Sequence, residues 1–200
     1  RRAVKRKPVG TRALAWEEVQ AIWTAPGLSP SSRLTLQLLI STGQRVEEVL
    51  QASWNEFDLA ENIWIIPAER RKTRSYSSEP HVVPLVAFHL ALLKKVQGIT
   101  PDSEWLFPHQ NDRQPRNADA LCQAARRFCV NNNIKPFAPR DCRRTFKTLT
   151  GSIGIDLELR NRLQGHAMTD VGSVHYDRWS YLPQKRKAML AWAEALENKL

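Results

Sequence analysis

Residues 52–85 read ASWNEFDLAENIWIIPAERRKTRSYSSEPHVVPL, and this stretch sets the fold class. The run NIWII at 62–66 is rich in β-branched and aromatic residues, and HVVPL at 81–85 matches it. Trp54 and Phe57 alternate with polar neighbours just upstream. The pattern predicts three short antiparallel strands, the last two joined by the long basic loop ERRKTRSYSSEP at 69–80. Outward from this sheet the period changes from two to about 3.6 residues. Upstream, Trp16, Val19, Ile22 and Trp23 recur at helical spacing until Pro26-Gly27 stops the run. A second helix carries Leu34, Leu36, Leu38, Leu39 and Ile40 around most of its circumference, which predicts a central place in the core. Ser31 and Ser32 are its expected caps, Gly43 its end, and a short helix from Arg45 to Gln51 follows. Downstream, helices are expected over 86–97, 117–132, 139–152, 156–164, 169–179 and 184–198. The expected class is therefore mainly α with a small three-stranded antiparallel sheet.

Charge narrows the partner. Thirty Lys and Arg against twenty Asp and Glu leave a net +10 in 200 residues. Such an excess points to a polyanion, most often nucleic acid, although a generally basic coating protein has the same balance. Cys122, Cys129 and Cys142 form no CxxC pair and no ligand spacing with histidine. They read as reduced thiols, which favours the cytoplasm. The longest apolar stretch, around Leu85 to Leu93, is too short to span a bilayer, so no membrane partner is expected. The opening RRAVKRKPVG reads as a basic linker over residues 1–12, with one domain over 13–200.

Three clusters carry possible chemistry. In the short helix after Gly43, Arg45 and Glu48 stand three apart, beside an apolar face of Val46, Val49 and Leu50. A carboxylate there can hold the guanidinium in one pose for a phosphate, or the two can form an ordinary surface pair. In APRDCRRTFKTLT at 138–150, Cys142, Phe146, Leu149 and Ile153 predict an inward stripe. Arg140, Arg143 and Lys147 fall on another stripe with Arg144 beside it, forming either a phosphate cradle or a solvated basic face. In LQGHAMTDVGSVHYDR at 163–178, His166 follows a helix end and Tyr176 comes ten residues later. A free phenol titrates near about 10, so Tyr176 needs cations and a proton acceptor to be a nucleophile. His166 and His175 lack a third ligand, so neither a metal nor another cofactor is expected.

Taken in order, TGQRVEEVL, the basic hairpin with Lys72, RDCRRT, QGH and HYDR resemble the tyrosine recombinase (phage integrase) family, over nearly the whole chain from Trp16. The tail YDRWSYLPQKRKAMLAWAEAL resembles integrases of temperate phages and genomic islands. The resemblance implies the recombinase catalytic-domain fold, preceded by a core-binding domain upstream of the linker. It implies catalytic roles for Arg45, Lys72, Arg140, Arg143 and His166, a nucleophile at Tyr176, and support of Arg45 by Glu48. Arg140 stands where many members have histidine, and arginine is no general base near neutral pH. The implied activity is cleavage and rejoining of DNA through a 3′-phosphotyrosyl link, without metal or ATP, to integrate or excise a mobile element. Alternatives are a DNA-binding module of the same fold without catalysis, and a type IB topoisomerase-like enzyme. Implied partners are double-stranded DNA attachment sites, a tetramer of the chain on DNA, and accessory DNA-bending proteins.

Overall fold

A computed structural model describes residues 12–71, 79–109, 113–166 and 181–200. Its helices are α1 (Trp16–Thr24), α2 (Pro30–Thr42), α3 (Val46–Leu50), α4 (Ala87–Ile99), α5 (Ala118–Asn131), α6 (Pro139–Ser152), α7 (Leu157–Leu163) and α8 (Leu182–Glu197). The strands are β1 (Phe57–Asp58), β2 (Ile63–Ile66) and β3 (His81–Pro84), in sheet order β1-β2-β3 and antiparallel throughout. The mainly helical class with one small sheet is as the sequence predicts. The expected helix over 169–179 lies outside the described residues.

The circumference of α2 explains the architecture. Leu36, Leu39 and Ile40 are fully buried, and so are Thr35, Ser41 and Thr42. A helix apolar on nearly every side must be surrounded; α1, α3, α4, α6 and α8 all pack on it. Its buried hydroxyls are satisfied within the helix: Thr35 donates to Ser31 O and Thr42 to Leu38 O. The cap is Ser29, whose Oγ accepts from Ser32 N at 3.3 Å. Ser31 and Ser32 were expected there, but Pro30 occupies the first helical turn, where its missing N–H costs nothing. That moves the boundary upstream.

Two other expectations are corrected. Trp54 sits in a 3-10 turn (Trp54–Glu56), leaving β1 only Phe57–Asp58. The turn places Glu56 to accept from Trp64 Nε1 at 2.9 Å, while the Phe57 and Trp64 rings stack at 5.3 Å. Ile153 does not complete the inward stripe of α6. The helix ends at Ser152, so helical phase is lost there and Ile153 is exposed while Cys142, Phe146 and Leu149 are buried.

The C-terminal helix docks on its own domain. Trp192 is fully buried between Trp16 (5.6 Å) and Phe146 (5.8 Å, edge-on), and its Nε1 donates to Ile40 O. Met189, Ala193 and Leu196 complete that face. His89 ties α4 to α2: its Nδ1 accepts from Val86 N and its Nε2 donates to Ser41 O.

Gly43 ends α2 in the left-handed region, at φ +68°. A Cβ added there would lie 2.4 Å from the Phe146 ring, so this position needs glycine twice over. Gly43→Ala should destabilise the chain by about 3 kcal/mol. The thermal midpoint should then fall by roughly 6–12 °C, read by circular dichroism.

Candidate active site

The site is built around the end of α7. Asp156 caps the start of that helix, with Oδ1 accepting from Leu159 N at 2.8 Å. At the other end Gly165 adopts φ +57°. There Gly165 N donates to Arg162 O and His166 N to Asn161 O, at 3.2 and 3.0 Å. This pair of bonds is the Schellman closure, and it leaves the last carbonyls without partners from the helix.

Four distant residues supply those partners. Leu163 O accepts from Gln44 Nε2 (2.9 Å) and faces His81 Nε2 at 3.0 Å. Gln164 O accepts from the Arg143 guanidinium at 2.5 Å, and Gly165 O from that of Arg71 at 2.9 Å. A Cβ on Gly165 would meet Arg71 and His81 at 3.0 Å. Cations at a helix C-terminus also face the negative end of its dipole.

Arg143 has a second anchor, donating to Gly43 O at 2.8 Å. Two carbonyls from separate segments thus fix its guanidinium plane. Burial, with Arg45 and Arg71 nearby, pushes its pKa down to about 9, and Glu48 opposes the shift. Arg45 is held by Glu48 at 2.6 Å, while the other Glu48 oxygen accepts from Arg45 N at 2.8 Å. One carboxylate therefore caps α3 and orients the arginine. Glu48 is only 2% exposed, so the pair is no ordinary surface contact. Among the described residues a single buried carboxylate thus stands with Arg45, Arg71 and Arg143, and that set carries a cationic excess suited to an anionic ligand.

His166 lies beside these cations. Burial, then Arg143, Lys147 and Arg45, lower its pKa to about 4, so the imidazole is neutral at physiological pH. Its Nδ1 is 3.1 Å from Asn161 Oδ1, which also accepts from Lys147 Nζ at 2.7 Å. Arg140 is exposed on the first turn of α6, and its charge is not among those that shift His166.

The structure therefore brings Arg45, Glu48, Arg143 and His166 together and leaves Arg140 at the exposed start of α6. Lys72 and Tyr176 lie outside the described residues. Sequence reasoning missed Gln44, Arg71, His81 and Asn161 as builders of this site. Arg71 was hidden among the neighbouring loop cations, and His81 and Asn161 carry no spacing signal. Among the described residues, no group of three His, Cys, Asp or Glu is placed to hold a metal, and no helix is long and apolar enough to cross a membrane.

Comparison with known proteins bears on this geometry. Residues 12–179 match the profile described as the phage integrase family. The chain is 26% identical over 176 residues to the integrase of Enterobacteria phage P4, covering 83% of this chain and 40% of that protein. A prophage integrase of Escherichia coli (strain K12) is 26% identical over 171 residues, covering 85% and 40%. The chain thus spans about two fifths of the length of these relatives. Among solved structures, an integrase from mycobacterium phage Brujita superposes with TM-score 0.67 at 17% identity, covering 98% of this chain and 65% of that one. A lambda integrase dimer bound to a COC' core site gives TM-score 0.64 at 16% identity, covering 87% and 63%. These likenesses show the fold.

Glu48→Gln keeps a capping oxygen but removes the counter-charge, and should lower stability by about 2 kcal/mol in urea unfolding. Arg45 is one-fifth exposed, which keeps that cost below the value for a fully buried pair. A second expectation concerns pH. His81, His89 and His166 all titrate below the ordinary 6.5, mainly through burial, the latter two at about 4. In that window the unfolded chain binds more protons than the native one, so stability rises with pH. The urea midpoint should fall steadily as pH drops from 6.5 toward 4.

Proposed function

The chain belongs to the phage integrase family, and from that premise we propose that it is the catalytic domain of a site-specific DNA recombinase with Tyr176 as nucleophile. The observation that carries this reading is the paired fixing of Arg45 by Glu48 and of Arg143 by two backbone carbonyls, with neutral His166 between them and Lys147. Two immobilised guanidinium groups are suited to the non-bridging oxygens of a phosphodiester, where charge builds in the transition state.

In the proposed reaction Tyr176 Oη attacks the scissile phosphorus in line. A 3′-phosphotyrosyl bond forms and the bond to the 5′ oxygen breaks. Lys72 protonates the departing oxygen. Its assignment gains support from its neighbours, since Arg70 is paired with Glu56 and Arg71 is bonded to Glu79 O and Gly165 O. An ammonium can also release a proton where a guanidinium effectively cannot. His166 handles either the proton of the phenol or a phosphate oxygen, a choice that its tautomer decides. Arg140, exposed at the N-terminal turn of α6, attracts the DNA backbone as a charge. The cation cluster supplies the charge that a metal supplies in many nucleases, and the ester bond energy is conserved, so a second 5′-hydroxyl reverses the step without ATP.

The substrates in this reading are double-stranded DNA attachment sites, recombined in the cytoplasm to integrate or excise a mobile element. Exchange between two duplexes takes four cleavages, hence four copies of the chain, with accessory DNA-bending proteins where the sites must be folded. Residues 1–12 then serve as linker from a core-binding domain to a catalytic domain over 13–200.

A nicked suicide duplex carrying the attachment core should trap a detergent-resistant adduct in the absence of divalent metal. Tyr176→Phe should trap none, and Arg143→Lys should form it about 10²–10³-fold more slowly. An adduct that persists in Tyr176→Phe would refute the assignment.

A further inference from the structure

We propose that Asn161 is a positioning residue that locks His166 in the Nδ1–H tautomer, making His166 Nε2 the acceptor for the Tyr176 proton. The catalytic half of this statement rests on the function proposed above; the tautomer itself does not.

The orientation of the Asn161 amide is forced by its neighbours. Lys147 Nζ lies 2.7 Å from the Asn161 side chain, and an ammonium has only protons to offer. The atom facing Lys147 must therefore be the amide oxygen. That same oxygen lies 3.1 Å from His166 Nδ1. An oxygen with no proton can only accept, so Nδ1 must carry the hydrogen. A neutral imidazole holds one proton, and Nε2 is left with a bare lone pair. This is the reverse of the ordinary preference of a free imidazole, so it needs a partner to impose it.

The backbone makes the imposition rigid. His166 N donates to Asn161 O, so residue 161 holds both the main chain and the ring of residue 166. Lys147 is itself positioned, since Arg160 of α7 donates to Lys147 O at 2.8 Å. The three-membered chain Lys147–Asn161–His166 thus spans α6, α7 and the turn that follows.

A bare Nε2 cannot donate to a phosphate oxygen in the free protein, but it can receive a proton. As Oη bonds to phosphorus, its proton passes to Nε2, and the resulting imidazolium carries it until rejoining returns it. The departing 5′ oxygen is supplied separately by Lys72, so protons balance in both directions. The arrangement also fills the gap left by Arg140, which is no base. In the free protein burial first, then Arg143, Lys147 and Arg45, oppose protonation of His166. An anionic phosphodiester seated among those cations offsets their part of that opposition.

The test is a long-range proton–nitrogen correlation spectrum of the ¹⁵N-histidine-labelled chain at neutral pH, with His166 identified by its loss in His166→Gln. Wild type should show a protonated Nδ1 and a bare Nε2 at His166. An Nε2–H tautomer in wild type overturns the proposal outright, whatever the variants do. Asn161→Leu should convert the ring to mainly Nε2–H, and Lys147→Met, which frees the amide to rotate, should give a mixture. Lys147→Arg should restore the wild-type pattern. An unchanged tautomer in Asn161→Leu also overturns the proposal. On the suicide duplex, Asn161→Leu should form adduct about tenfold more slowly, a fraction of the usual worth of a general base. A converted tautomer with an unchanged rate overturns the catalytic half. Absence of any wild-type adduct would instead sink the proposed function while leaving the tautomer measurement intact.

Discussion

The carbonyls of Leu163, Gln164 and Gly165 are the point on which the structure turns. A helix must end, and its last carbonyls must find donors or remain costly to bury. Here the donors come from the end of α2, from the root of the hairpin, from β3 and from α6. Each donor is fixed by its own element, so one short helix end registers four others. The sheet is small, yet its register matters for this reason. Ile66 opposite His81 sets the imidazole on the buried face that meets α7. Shifting β3 by one residue would turn that ring away and orphan Leu163 O.

The same bonds create an electrostatic tension. Arg45 and Arg71 both oppose the charge on Arg143 and Glu48 supports it, while at Arg71 the pull of Glu48 outweighs the push of Arg45. Burial first, and these neighbouring cations second, hold both Arg143 and His166 low. A fold that holds more cations than carboxylates together favours an anionic ligand there. Lys185 extends the pattern. It is buried against Val82 O, with its pKa lowered to about 8 by burial, Arg162 and Arg71.

Much of this was legible beforehand, for identifiable reasons. Period alone placed the surrounded helix α2 and the pairing of Ile63–Ile66 with His81–Pro84, because those elements bury continuous apolar surface. The Arg45–Glu48 pair was visible because its spacing is local. What escaped were interactions between residues far apart in the chain. Arg71 to Gly165 O spans 94 positions and His81 to Leu163 O spans 82. Backbone carbonyls have no sequence signature, so a site assembled on them is silent until the chain is folded. The Ser31 and Ser32 caps and the place of Ile153 in the inward stripe failed for a smaller reason, since each lies at a helix boundary. Nor could Asn161 be read, because its role needs Lys147 on one side and His166 on the other.

Docking of α8 has a consequence for the mechanics of the domain. Trp192 beneath Phe146, with Arg186 bonded to Leu85 O and Glu61 O, fastens residues 181–200 to the same body that ends in His166 upstream. A pull on the end of α8 is therefore borne, through the contact of Trp192 with Phe146, by the same helix that carries Arg143.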